Sequence, residues 1–229
     1  TMALNYISAW VSTRILSSPS ERTRALTIAQ FVEIANHLRA LNNYQTLSAI
    51  LIGLTSSAVN RLYKTWQLFE TLDDGLTAQK LRGLNDLVGM DRQYAKYFEA
   101  YNDSDMPCIP MLHVNIFKLV RIDTMDDFVT APSAAAAAES QLANRAFNSA
   151  SSSDLPSTKP QHHQQQHVNW KKFDHLGDEV LGLRRLQEQL DYRFESNLSL
   201  MAALKHQLTL DSDTLYARSL QLEPRPKPH

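Results

Sequence analysis

Apolar side chains recur along most of this chain at helical spacing. Between Leu41 and Trp66 the first run places Leu47, Ile50, Leu51 and Leu54 three, one and three residues apart. A second run, Val59, Leu62, Tyr63, Trp66 and Phe69, keeps the same rhythm after a polar Thr55-Ser56-Ser57 step. A period near ~3.6 residues reads as a one-faced helix, and the hydroxyls of the step are suited to end one helix and N-cap the next. Upstream, residues 4–17 carry Tyr6, Ile7, Trp10, Val11 and Leu16 as a short helix. Ser18-Pro19-Ser20-Glu21 has the layout of a capping box, with Ser18 at the cap, Pro19 at the first helical position and Glu21 three residues on. The helix it opens should run to about Leu41, burying Ile28, Phe31, Val32, Ala35 and Leu38, and end at Asn42-Asn43.

Beyond the pair, Asp73-Asp74-Gly75 reads as a turn, followed by helices near 76–89 and 91–101. Pro107 and Pro110 bracket a rigid loop before a helix over about 111–122. From Val168 a long amphipathic helix carries Leu176, Val180, Leu183, Leu190 and Phe194, and a last helix, capped near Asp211 or Ser212, ends before Pro224. No strand pattern and no internal repeat emerges, so the expected class is all-α.

The texture changes between Ala131 and Gln166. That stretch holds 9 Ala, 7 Ser, 5 Gln and 3 Pro, with Leu142, Phe147 and Leu155 as its only large apolar residues. Such a segment cannot bury enough surface to offset its ordering entropy, so 131–166 reads as a mostly disordered insertion with a transient helix at Ala134–Ala138.

Composition narrows the function. A formal net charge of −1 over 229 residues argues against a phosphate-backbone binder. No apolar run approaches the ~18 residues that span a bilayer. Cys108 is the only cysteine, which excludes an intrachain disulfide and suits a reducing cytosol; between Pro107 and Pro110 it reads as a packed thiol rather than a nucleophile. His163 and His167 have an i, i+4 metal-ligand spacing, but their glutamine-rich surroundings offer no further ligand and favour a solvated tract. Tyr94, Tyr97, Phe98 and Tyr101 read as core rather than a ligand cage. No phosphate loop, Ser/His/Asp order or HExxH pattern is present, so covalent catalysis, cofactors and metals are not indicated.

The stretch Phe31, Ile34-Ala35, Leu38-Arg39, Leu41-Asn42-Asn43-Tyr44, Ala49-Ile50-Leu51, Gly53-Leu54, Ser56, Val59, Arg61-Leu62, Thr65-Trp66 resembles the catalytic domain of Ras-family guanine nucleotide exchange factors, the RasGEF family. Pro107-Cys108-Ile109-Pro110, Val168-Asn169-Trp170-Lys171-Lys172 and Leu215-Tyr216 through Glu223-Pro224-Arg225 match further family motifs in order. The resemblance runs from about Trp10 to Arg225. It implies one RasGEF-like helical domain over residues 1–229, interrupted at 131–166 and beginning inside the domain, without the N-terminal helix pair relatives carry. It also implies a protruding helical hairpin whose first helix follows Pro110 and whose second begins at Asn169.

What the resemblance implies about function is non-covalent. A bowl would grip the switch II region of a Ras-like small GTPase through Thr55, Ser56, Arg61, Tyr94 and Met111. The hairpin would wedge switch I away from the nucleotide, with Val120 at the apolar position and Thr124, beside Asp123, at the acidic one. Asn169 and Lys172 would brace the second helix, with Trp170 packing against the core. The implied partner is a nucleotide-free GTPase, with no nucleic acid and no inserted membrane segment. The implied setting is the cytoplasm, with recruitment to the inner membrane face through the GTPase. Two departures stand out: Asp123-Thr124-Met125-Asp126-Asp127 replaces the family's acidic Gly-Asn-Pro run, and Phe173-Asp174-His175 replaces a basic pair. An interaction module that binds a GTPase without ejecting nucleotide is the alternative.

Overall fold

The computed structural model describes residues 2–130, 166–189 and 191–224. They fall into two compact units, Thr1–Ile116 with Gly182–His229, and Phe117–Leu181. The low-complexity insertion and its alanine helix lie, but for Gln166, outside the described residues, as do His163 and Leu190.

The first unit is helical. Helix α1 (Met2–Ser17) packs on α3 (Tyr44–Leu54), and the approach is close at Gly53, where a Cβ would lie 2.7 Å from both the Ser8 carbonyl oxygen and the Val11 Cβ. Helix α2 (Glu21–Ala40) is capped by Ser20, whose hydroxyl accepts the Thr23 N–H at 3.1 Å, and not by Ser18. The first helical residue is Glu21 rather than Pro19, so the expected capping box is displaced. Asn42 turns the chain with φ 54°, and Asn43 caps α3 by accepting the Thr46 N–H. Asn tolerates this left-handed conformation better than other side chains do.

The polar step at 55–57 ends α3 at Thr55, as expected. The next helix is divided, α4 (Ser57–Asn60) and α5 (Tyr63–Glu70), with a break at Arg61-Leu62. Ser56 stands at the cap position of α4 but makes no capping bond; its hydroxyl meets that of Ser12 at 3.0 Å. After a 3₁₀ turn (Leu72–Gly75) come α6 (Leu76–Val88) and α7 (Ala95–Asn102). α7 starts four residues later than the pattern suggests, because Arg92, Gln93 and Tyr94 form a left-handed run with φ 48°, 60° and 63°. Helix α8 (Leu112–Asp123) follows the proline loop. The core gathers Val11, Ile15, Ile28, Val32, Leu47, Leu54, Val59, Leu62, Phe69, Leu84 and Tyr97, all at or near full burial, each large aliphatic contributing about 1.5–3 kcal/mol.

Helix α9 (Trp170–Glu188) ends before Phe194, so that residue lies in loop and not on the helix. A further helix, α10 (Leu198–Lys205), precedes α11 (Ser212–Leu222), whose cap is Asp211, accepting from Asp213 and Thr214 N–H. In the second unit a short antiparallel ribbon joins α8 to α9: β1 (Phe128–Thr130) pairs with β2 (Gln166–Val168), Phe128 opposite Val168 and Thr130 opposite Gln166. Three-residue strands have no alternation to read, so the sequence pattern carries no trace of this departure from a purely helical chain. The class remains all-α.

The opening and closing motifs meet in the first unit. Arg24 and Glu223, each with a side chain 1% exposed, form a buried ion pair at 3.3 Å. Glu223 also accepts the backbone N–H of Lys64 and Thr65 and the Thr65 hydroxyl, while Arg24 donates to Thr65 Oγ1 and to the Ser18 and Pro19 carbonyls. The carboxylate thus supplies the acceptors that the first turn of α5 lacks.

Candidate functional site

In the first unit the Pro107–Pro110 loop is sewn to the Asn42-Asn43-Tyr44 corner. Ile109 N donates to the Asn42 carbonyl, and Tyr44 N donates to the Ile109 carbonyl, both at 2.9 Å. Cys108 is 1% exposed, and burial pushes its thiol up to about 11, which makes it a packing residue and a poor nucleophile. The aromatic run is core, as expected: Tyr97 is fully buried, edge-on to Tyr44 and stacked on Tyr101. Burial holds the Tyr97 phenol protonated, well above the usual tyrosine range.

The residues assigned to the bowl differ in accessibility. Thr55 is exposed, its hydroxyl bonded back to the Leu51 carbonyl at 2.8 Å. Tyr94 is half-buried at the start of α7. Ser56 is half-buried against Ser12. Arg61 is turned onto α11: its Nη1 donates to the Ser219 carbonyl at 2.6 Å, and its guanidinium carbon lies 5.9 Å from the Tyr216 ring centre. That cation is committed to holding the last helix. Met111 is 1% exposed and joins the core, whereas the next residue, Leu112, is 47% exposed. A partner therefore cannot touch the Met111 side chain; it supports the surface from beneath.

The second unit brings Asp123, Asn169 and Lys172 together. Lys172, 4% exposed, donates from Nζ to the carbonyls of Asp123 (2.7 Å) and Met125 (2.8 Å) and to Asp127 Oδ1 (2.5 Å). An ammonium at the C-terminal end of α8 meets carbonyls that have no partner inside the helix, and the negative end of its dipole. Asn169 donates from its amide to the Asp126 carbonyl, and its Oδ1 accepts the Lys172 N–H, so it caps α9 while holding the turn. Across the two helices, Lys118 pairs with Glu179 at 2.5 Å.

Around this clasp several side chains face solvent. Val120 is 56% exposed, and the Asp123 side chain, three residues on, is 77% exposed. Thr124 is exposed, with its hydroxyl bonded to the Arg121 carbonyl at 2.8 Å. Trp170 is 75% exposed, edge-to-face with Phe173 at 6.4 Å, so the expectation that it packs into the core is corrected: the inward positions of α9 are taken by Lys172, Leu176 and Glu179. Sequence reasoning missed Asp127, which reads as a turn residue. The available signal is Lys172 itself, a lysine at a buried helical position that needs a counter-charge. Among the described residues no group of three His, Cys, Asp or Glu side chains could hold a metal, and no helix is long and apolar enough to cross a membrane.

A family model for the RasGEF domain matches residues 1–174. The chain belongs to the RasGEF family. Among its relatives, this RasGEF chain is 32% identical over 125 residues to Ras guanine nucleotide exchange factor Q of Dictyostelium discoideum, covering 55% of the chain and 9% of that relative. It is 34% identical over 116 residues to cell division control protein 25 of Saccharomyces cerevisiae, 50% of the chain and 7% of the relative. RAS guanyl-releasing protein 1 of Xenopus laevis is 32% identical over 126 residues, 55% of the chain and 15% of the relative. The RasGEF chain thus spans less than a fifth of the length of these curated relatives. Its helical architecture is that of the family.

Proposed function

We propose that this chain is a guanine nucleotide exchange factor that promotes GDP release from a Ras-like small GTPase and binds the nucleotide-free form in preference. The observation that carries this reading is the solvent-facing pair Val120 and Asp123 at the end of α8, backed by the buried Lys172–Asn169 clasp. An apolar group next to a carboxylate suits a site being emptied of phosphate and its cation. The carboxylate repels phosphate, and the valine offers a metal ion no ligand. Asp123 takes the acidic role because Thr124 has no charge and its hydroxyl is engaged by Arg121.

In this mechanism no covalent bond changes. The factor binds the empty GTPase better than the loaded one, and that difference in affinity displaces nucleotide by mass action. Thr55 and Tyr94 offer a hydroxyl and a phenol to the partner, with Met111 as support beneath. Release of a fluorescent GDP analogue from a panel of Ras, Rap and Ral type GTPases tests the proposal: an accelerated release that Asp123→Asn slows is expected, and no acceleration on any of them would sink it.

A second reading, a module that binds a GTPase without releasing its nucleotide, is favoured by one feature, the neutral Thr124 where the family has a carboxylate. Capture of nucleotide-free GTPase together with unaccelerated release would select it.

A further inference from the structure

Two N–H groups at the start of α8 are held by side chains from elsewhere in the first unit. Met111 N donates to the Tyr97 phenol oxygen at 2.9 Å, and Leu112 N donates to Gln45 Oε1 at 2.9 Å. The Tyr97 hydroxyl in turn donates to Asn115 Oδ1 at 3.0 Å, so one phenol bonds α8 both before its first residue and within its first turn. The first N–H groups of any helix lack partners inside it and are commonly met by an oxygen of the cap residue. The residue before α8 is Met111, which has no such oxygen. The acceptors come instead from α7 and α3, while the Ile109 backbone is bonded to Asn42 and Tyr44. Tyr97 is fully buried among aromatic rings, so its hydroxyl is fixed in place.

We propose that Tyr97 and Gln45 are positioning residues for exchange, fixing the rotation of α8 about its own axis and hence the side chains it presents. The inference rests on the exchange reading above. α8 is unbroken from Leu112 to Asp123, and its exposed Ile116 and Val120, four residues apart, share one face. Successive residues are about 100° apart around a helix, so a slip by one position would substitute Leu119 or Arg121 for Val120 on that face. Bonds at Met111, Leu112 and Asn115 hold the first turn of α8 in one rotation.

The test uses the full chain with Tyr97→Phe, which keeps the ring, and Gln45→Met, which keeps length and apolar contact. Amide hydrogen exchange is followed residue by residue. Tyr97→Phe is expected to speed exchange at Met111, and Gln45→Met at Leu112, each by about tenfold, with Leu47, Ile50 and Leu51 of α3 unchanged. Release of a fluorescent GDP analogue should slow by about fivefold or more in each variant, while capture of the nucleotide-free GTPase stays within about twofold, since Thr55 and Tyr94 are unaltered. Unchanged amide exchange at both positions overturns the anchor. Release and capture lost in parallel with a lowered melting temperature overturns the positioning role in favour of a merely structural one. A wild-type chain that accelerates release from no GTPase overturns the exchange reading instead, and the positioning for exchange with it, while the amide data still decide whether the two side chains anchor α8.

Discussion

Glu223 Oε1 accepts the backbone N–H of Thr65 at 3.2 Å across 158 residues of chain. With the Lys64 N–H, the Thr65 hydroxyl and Arg24 as its other partners, this carboxylate is both an ion-pair member and the cap of α5. Removing it strands Arg24 in the core. Glu223→Ala is expected to destabilise the fold by about 3–5 kcal/mol, measured by urea unfolding. The pair Arg24→Met with Glu223→Leu should cost less than the single change, because no buried charge is left alone. A loss under ~1 kcal/mol for Glu223→Ala would mean that the carboxylate is solvated.

The cap of α2 separates two serines. Ser20→Ala should lower stability by about 1 kcal/mol, since it removes the acceptor of the Thr23 N–H. Ser18→Ala should change it little. Equal effects in thermal melts would contradict the placement of the cap.

Cys108 gives a pH dependence of definite sign. Its folded-state value, about 11, lies above the ordinary 9.0. Above pH 9 the unfolded chain loses a proton that the folded chain keeps, so the unfolded state is favoured and stability falls as pH rises from about 9 to about 11. Cys108→Ala should make that fall shallower, the buried Tyr97 phenol contributing the remainder above pH 10. An equally steep fall in the variant would assign it to other groups.

Arg92 opens a run of three consecutive left-handed residues, where a side chain costs roughly 1–2 kcal/mol. Glycine relieves that strain and gives back about 0.5–1 kcal/mol through the greater freedom of the unfolded chain. Arg92→Gly is therefore expected to raise the melting temperature, and a lowered one would show that the backbone there is relaxed.

The two ends of the assigned bowl respond differently to charge. Thr55→Glu adds a carboxylate at an exposed site and should abolish capture of nucleotide-free GTPase with the melting temperature unchanged. Met111→Asp buries a charge in the core and should unfold the chain. Full GTPase capture by Thr55→Glu would move the interface elsewhere.

What the sequence discloses and withholds has physical causes. Helices α2, α3, α6 and α8 carry a single apolar stripe over several turns, and that stripe is legible in the order of residues alone. The break at Arg61-Leu62 is hidden, because Leu62 keeps helical spacing with Val59 and Trp66 and is fully buried on either reading. α10 is hard to read for the opposite reason: Leu198, Leu200, Met201 and Leu204 are all substantially exposed, so no face distinguishes itself. At the site, motif resemblance picks out Asn169 and Lys172, but their partners are mostly backbone carbonyls, which no residue pattern records. Whether Met111 or Leu112 points inward depends on the direction in which the chain leaves Pro110. Arg24 and Glu223 are 199 positions apart, and nothing local in either neighbourhood names the other.

Thr130 and Gln166 face each other as cross-strand partners in the β1–β2 ribbon, so any chain joining them starts and ends at one place. The entropy of closing a ring grows only logarithmically with its contour, by about 0.6 kcal/mol for each doubling. Length at this point is therefore almost without thermodynamic consequence, whereas one residue added between Asp123 and Asp127 would pull carbonyls away from Lys172. The ribbon acts as a splice junction. Sequence can accumulate beyond it, or a foreign domain with adjacent termini be grafted there, while the lysine-held turn next to it keeps its shape.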